Sequence, residues 1–221
     1  MSSMIPVITI DGPSGAGKGT ICHLLAQKLG YKLLDSGALY RLTALAAERQ
    51  GVSFDDKAGL AEVAASLDVE FEPSDHGTII WLAGDDVSQA IRAEQVGMNA
   101  SVVAACDEVR LALLQRQRDF AVAPGLVADG RDMGTTVFPD ASVKVFLTAS
   151  AAERARRRVL QLEAAGADAD YDTILSDIES RDKADRERTV SPLKPAEDAT
   201  LLDCTELGIE QVLAKILLLT K

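Results

Sequence analysis

The chain has 221 residues, 47% of them hydrophobic and 26% charged, with a formal net charge of −11 at pH 7. That length suits one α/β core with an inserted subdomain, and the composition is that of an ordinary soluble globular protein. The acidic balance argues against a nucleic-acid polymer or an anionic membrane as partner, and three scattered cysteines, Cys22, Cys106 and Cys204, exclude a disulfide frame or a paired-cysteine zinc site.

The N-terminus carries no basic leader before a β-branched run, Ile5 to Ile10, that predicts the first strand. No run approaches the ~18 apolar residues of a membrane span. A cytoplasmic chain is expected. The strand leads into Gly12-Pro13-Ser14-Gly15-Ala16-Gly17-Lys18-Gly19-Thr20 and then an amphipathic stretch. Glycines at 12, 15 and 17 let successive backbone N–H groups converge without Cβ obstruction, and the helix behind them aims its positive end at the same point. Lys18 adds a full charge. Such a nest suits the polyphosphate of a nucleotide. The strict P-loop pattern places Ser or Thr directly after the lysine; here Gly19 intervenes and the hydroxyl is on Thr20.

The helix over Ile21–Leu29 stops at Gly30, and Tyr31–Leu34 predicts a second strand. Asp35-Ser36-Gly37 reads as the cap of a helix running from Ala38 to Gln50, with another helix over Asp56–Leu67. From Asp68 to Val87 the texture changes to short alternating strands with turn signals at Pro73, Asp75-His76-Gly77 and Gly84-Asp85. This predicts a small antiparallel sheet inserted into a βα-alternating chain. Helical patterning resumes over Ala93–Ala121. Gly125–Asp129 and Val143–Thr148 are apolar strands without alternation, as in a parallel sheet covered on both faces. Helices over 150–165 and 171–188, the strand Thr200–Asp203 and the helix Ile209–Leu219 complete the chain; Val190–Asp198, with two prolines, is linker-like. The expected fold is an α/β three-layer P-loop fold: a five-stranded parallel sheet, helices on both faces and a small three-stranded antiparallel insert.

Asp129 ends its strand in Asp129-Gly130-Arg131-Asp132, at the sheet edge where α/β folds bind ligands. It reads as the acid that holds the water shell of Mg²⁺, an ion needing only one or two carboxylates besides phosphate. Eight of the fourteen arginines fall between Arg131 and Arg188. Arg154, Arg157 and Arg158 share one helix face, as do Arg181, Asp185 and Arg188. Charge runs are usually solvated surface. Beside a P-loop they suit phosphoryl transfer, which needs two anions aligned and charge neutralised on the moving group. Arg41, one turn into the helix after Asp35, offers a further phosphate seat. His23 and His76 are too far apart to suggest a triad or a metal site, and Trp81 is most simply packing.

Together these blocks resemble the bacterial-type cytidylate kinase family of P-loop nucleoside monophosphate kinases. The resemblance rests on GPSGAGKGT (12–20), LDSGALYR (34–41), GDDVSQAIRAEQVGMNAS (84–101), VR (109–110), ADGRDMGTTVFPDA (128–141), KVFLTAS (144–150), RARRR (154–158) and RDKADRERTVSPLKPAEDA (181–199). It implies a single kinase domain over 1–221 with a monophosphate-binding subdomain over about 36–105, its antiparallel insert over about 68–100 and a short lid over about 154–170. It implies transfer of the ATP γ-phosphoryl group to CMP or dCMP by a monomer. The residues Gly12, Pro13, Ser14, Gly15, Ala16, Gly17, Lys18, Gly19, Thr20 and Arg157 would bind ATP. Lys18, Arg131, Arg188 and Asp129 would serve catalysis. Ser36, Tyr40, Arg41, Ser101, Arg110, Asp132, Arg181, Asp185 and Arg188 would bind CMP, with Ser36, Ser101, Arg110 and Asp132 reading cytosine. Mg²⁺ would be held by Asp129 through water and weakly by Thr20. A UMP/CMP or AMP kinase is the nearest alternative. A nucleotide switch is opposed by the arginines at 181–188 and by the insert, since a switch holds no second nucleotide.

Overall fold

The computed structural model describes residues 5–74 and 77–220. The turn expected at Asp75-His76 lies outside those residues. The first strand, β1 (Val7–Asp11), is buried at every position, and the glycine loop leads into α1 (Lys18–Leu29). Gly30 ends that helix at φ 67°, its N–H donating to the carbonyls of Ala26 and Gln27. β2 (Lys32–Asp35) and α2 (Ser36–Gln50) follow with no residue between them. Asp35, expected in the helix cap, instead completes the strand, because it stands in register with Asp129 on the neighbouring strand.

α3 (Lys57–Ala65) starts on Asp56, whose Oδ1 accepts from the Gly59 N–H at 3.0 Å. The insert is antiparallel as expected: β3 (Val69–Ser74), β4 (Gly77–Leu82) and β5 (Asp85–Asp86), in that order. After a 3₁₀ turn at Ala90–Arg92, the helical stretch expected over 93–121 divides into α4 (Glu94–Ala104) and α5 (Asp107–Arg118). Two causes act at the break. Asp107 and Glu108 stand in a first turn, where the helix dipole favours acids. Arg110 Nη1 donates to the Ala104 carbonyl at 3.0 Å, satisfying a terminal acceptor of α4.

The chain then forms β6 (Leu126–Gly130), a π-helical turn at Met133–Val137, and β7 (Val143–Thr148). α6 (Ala151–Ala164), α7 (Tyr171–Glu187), β8 (Thr200–Asp203) and α8 (Ile209–Leu219) complete it. No described helix is long and apolar enough to cross a membrane.

These elements make two compact units. One comprises residues up to Asp35 and from Arg118 onward; its parallel sheet has the order β2-β6-β1-β7-β8. Ile8, Ile10, Val127, Val145 and Leu147 of the sheet pack with Ile21 and Leu25 of α1 and Leu213 and Ile216 of α8. Each such side chain, fully buried, stabilises by about 1.5–3 kcal/mol. The other unit, Ser36–Gln117, carries the insert and buries Leu39, Leu42, Leu60, Val103, Val109 and Leu113.

Candidate phosphate-transfer site

The carboxyl ends of β1 and β6 lie side by side, Asp11 in register with Gly130 and Ile10 with Asp129. The glycine loop therefore leaves the sheet next to the strand end that carries Asp129, with Arg131 and Asp132 just beyond it. Two glycines shape the loop. At Gly12, φ is +151°, and a Cβ would come within 1.9 Å of the Leu147 carbonyl oxygen. Gly17 caps α1 in the left-handed conformation at φ 90°, which an L side chain rarely adopts.

Lys18 opens α1 and is buried. Its Nζ donates to the Pro13 carbonyl at 2.9 Å and stands 3.8 Å from Asp129 Oδ1. Burial lowers its pKa and nearby Arg131 lowers it further, against the pull of Asp129. Asp129 keeps 13% of its side chain exposed. Burial lifts its carboxyl to about 7, although Lys18 opposes the rise. Its Oδ2 would lie 3.7 Å from a Cβ at Gly19, so the carboxylate faces the start of α1. The oxygen donors near the loop suit Mg²⁺: the Asp129 carboxylate and, close by in sequence, the Thr20 hydroxyl are hard donors, and an ion held chiefly by phosphate and water needs only one or two carboxylates.

Asp11, which sequence reasoning passed over, holds the turn that follows β6. Its two carboxylate oxygens accept from the N–H groups of Met133 and Gly134, both at 2.8 Å. Burial lifts its pKa to about 6, less than it would without those two bonds. The signal was available: an acid at the end of an otherwise apolar strand marks a backbone partner or a ligand. By holding the π-helical turn, Asp11 fixes the residues just before it. Asp132, 2% exposed, accepts there through its carbonyl from Thr136 and Val137. Arg131 Nε donates to Asp185 Oδ2 on α7 at 2.8 Å, and Arg188 Nη1 stands 3.9 Å from Asp185 Oδ1. Arg188 Nε also donates to the Ser191 carbonyl at 2.6 Å. Burial works against the charge on Arg131, but Asp185, Asp129 and Asp35 outweigh it and raise its pKa.

The arginines of α6 divide. Arg154 is 2% exposed and forms a bidentate pair with Asp182 of α7, at 3.0 and 2.6 Å. Arg157 donates to Glu153 and, through Nη2, to the Cys204 carbonyl at 2.8 Å. Arg156 points elsewhere, pairing with Glu153 at 2.7 Å while 60% exposed.

Within the second unit, Arg41 Nη1 donates to the Ile91 carbonyl at 2.7 Å. A Cβ at Gly97 would come within 2.9 Å of the Arg41 guanidinium, so glycine there makes room for it. The Arg110 guanidinium lies over the Tyr40 ring, 5.4 Å from its centroid. The Ser101 hydroxyl donates to the Gly97 carbonyl at 3.2 Å. The Ser36 hydroxyl donates to Gln117 Oε1 at 2.6 Å, a partner 81 residues away that no local pattern announces.

A profile of the cytidylate kinase family matches residues 8–221. The chain belongs to that family. It is 61% identical over 219 residues to a cytidylate kinase of Saccharophagus degradans, covering 99% of this chain and 98% of that protein. It is 60% identical over 218 residues to a cytidylate kinase of Pseudomonas entomophila, covering 98% of this chain and 96% of the relative. A cytidylate kinase of Pasteurella multocida is 58% identical over 217 residues, with 98% of this chain and 95% of the relative covered. Within the family frame, the loop at 12–20 and the acids and arginines at 129–132 and 181–188 all belong to one compact unit.

Proposed function

We propose that the protein transfers the γ-phosphoryl group of ATP to CMP or dCMP, giving ADP and the corresponding diphosphate. Family membership supports a kinase acting on CMP; the observation that carries the finer reading is the adjoining ends of β1 and β6. There a glycine nest with Lys18 stands beside Asp129 and beside an arginine–carboxylate set on Arg131, Asp185 and Arg188. That is the equipment for holding two phosphates in line.

In this reading residues 12–20 cradle the donor phosphates, Lys18 follows the transferred group, and Arg157 contacts the donor nucleotide. Arg41, Arg131 and Arg188 grip the acceptor phosphate and the migrating group. Arginine suits both because its planar fork binds phosphate bidentately and stays charged. Asp129 through water and Thr20 weakly would hold Mg²⁺, which when bound neutralises charge on the phosphates. Arg181 and Asp185 take the sugar hydroxyls, and Tyr40 supports Arg110.

Ser36, Ser101, Arg110 and Asp132 read the base. Asp132 accepts from the cytosine 4-amino group while Arg110 donates to O2 and N3. Uracil, with a carbonyl at position 4 and a proton on N3, leaves those groups mispaired, and buried mispairing discriminates strongly. The protein acts as a monomer in the cytoplasm, without a nucleic-acid or membrane partner.

A coupled assay with MgATP and each of CMP, dCMP, UMP and AMP tests the proposal. CMP and dCMP are expected to turn over, UMP and AMP poorly. Absence of CDP with MgATP and CMP overturns it.

A further inference from the structure

Arg154, expected on one helix face with Arg157 and Arg158, is buried, and its guanidinium is held from several sides. Nε donates to the Ala149 carbonyl at 3.0 Å, beyond the end of β7. Nη1 and Nη2 engage both oxygens of Asp182. Nη1 also donates at 2.9 Å to the carbonyl of Ser14, inside the phosphate loop itself. A Cβ on Gly15 would come within 3.4 Å of the Arg154 Cβ, so the loop rests on this side chain at its outer bend.

That single loop contact has a geometric effect. The Ser14–Gly15 peptide is trans, and in a trans peptide the C=O and the following N–H point in opposite directions. A guanidinium holding the Ser14 carbonyl from one side therefore turns the Gly15 N–H to the other side. The Ala16–Gly17 peptide is arranged alike: the Ala16 carbonyl faces Cys204 Sγ at 3.3 Å, directing the Gly17 N–H away. Gly15 and Gly17 are exposed, whereas Arg154 and Cys204 are buried. The outer carbonyls are thus bound by the protein, and the glycine N–H groups are presented to a ligand.

We propose that Arg154 is a positioning residue for the donor nucleotide, orienting the Gly15 N–H toward the donor phosphates by holding the Ser14 carbonyl, with Asp182 fixing the guanidinium. The inference rests on the reading of residues 12–20 as the ATP phosphate site. Arg154 touches neither nucleotide, so its removal acts on donor binding through the loop. A role confined to stability would lower the folded fraction but leave the KM values of the folded enzyme unchanged.

The test compares the full-length protein with Arg154→Lys and Asp182→Asn, measuring KM for ATP and for CMP separately. Lysine keeps the charge but cannot span Ser14, Ala149 and both Asp182 oxygens at once. In Arg154→Lys the KM for ATP is expected to rise about ten-fold, the scale of one charge-assisted hydrogen bond, with the KM for CMP within about two-fold of wild type. Asp182→Asn retains the arginine but loosens its hold, and a rise in KM for ATP of about three-fold or more is expected. If the lysine variant does not fold, the asparagine variant decides alone. An ATP KM within about two-fold of wild type in every folded variant, or equal rises in both KM values, overturns the proposal. Failure of the wild-type protein to make CDP would instead remove the reading on which it rests.

Discussion

Arg131 donates through Nε to Asp185 at 2.8 Å, 54 residues further along the chain, and the other oxygen of Asp185 lies 3.9 Å from Arg188. One carboxylate thus gathers two of the three arginines proposed for the acceptor phosphate. Without it, two guanidinium groups repel each other and lose their common anchor. Asp185→Ala is therefore expected to raise the KM for CMP about ten-fold while changing that for ATP by no more than about two-fold. Steady-state kinetics with each substrate varied in turn measures the split. A larger effect on ATP would assign Asp185 to the donor.

Lys18 is buried, and its ammonium is held by the Pro13 carbonyl and Asp129. In the proposed reading its charge lies where negative charge develops on the transferred group. Lys18→Ala is expected to cost about 10²–10³-fold or more in turnover, in line with loss of a preorganised electrostatic partner. Cooperative melting and the far-UV spectrum should be retained, since the β1 and α1 core contacts do not involve this side chain. Near-normal turnover would exclude the loop from the reaction.

Much of this architecture was legible in the sequence because the informative features are local. Unbroken apolar runs gave the parallel strands, and Gly30 the end of α1. Paired turn signals gave the insert, and helical spacing put Arg181 and Asp185 on α7, whereas Arg188, expected on the same helix face, is the extended residue that caps its C-terminus. What was hidden is long-range pairing. Asp11 binding Met133 and Gly134, Ser36 binding Gln117 and Arg154 binding Ser14 each join residues at least 81 apart. No periodicity encodes such pairs. The break between α4 and α5 escaped because both halves carry compatible helical patterns, and the bond from Arg110 to the Ala104 carbonyl joins residues on either side of it.

Asp132 sits immediately before the π-helical turn that Asp11 holds, and it is 2% exposed. In the proposed reading this carboxylate accepts from the cytosine amino group. Asp132→Ala is expected to reduce the preference for CMP over UMP, measured as the ratio of kcat/KM values, by about ten-fold or more, the worth of one carboxylate–amino pairing. An unchanged ratio would mean that cytosine is read elsewhere.

Asp129 links function to a measurable stability cost. Its carboxyl titrates at about 7 in the folded protein against an ordinary 3.8, chiefly because of burial. The folded chain therefore holds this proton more tightly than the unfolded chain. The stability that the protonated group contributes is complete below about 3.8 and is lost as pH rises through about 7. Asp11 has the same sign over a lower range, ending at about 6. Asp129→Asn mimics the protonated group at every pH. Its melting temperature should gain on wild type progressively from pH 5 to about 7 and keep a lead of a few degrees from there to pH 8, with the decline below about 7 flattened and that due to Asp11 preserved. Activity at pH 8 should fall in the same variant, since a neutral amide is a poor anchor for a hydrated magnesium ion. Scanning calorimetry from pH 5 to 8, run on both proteins, reads the difference directly. A constant offset across that range would mean that the Asp129 carboxylate is solvated well enough to ionise without cost.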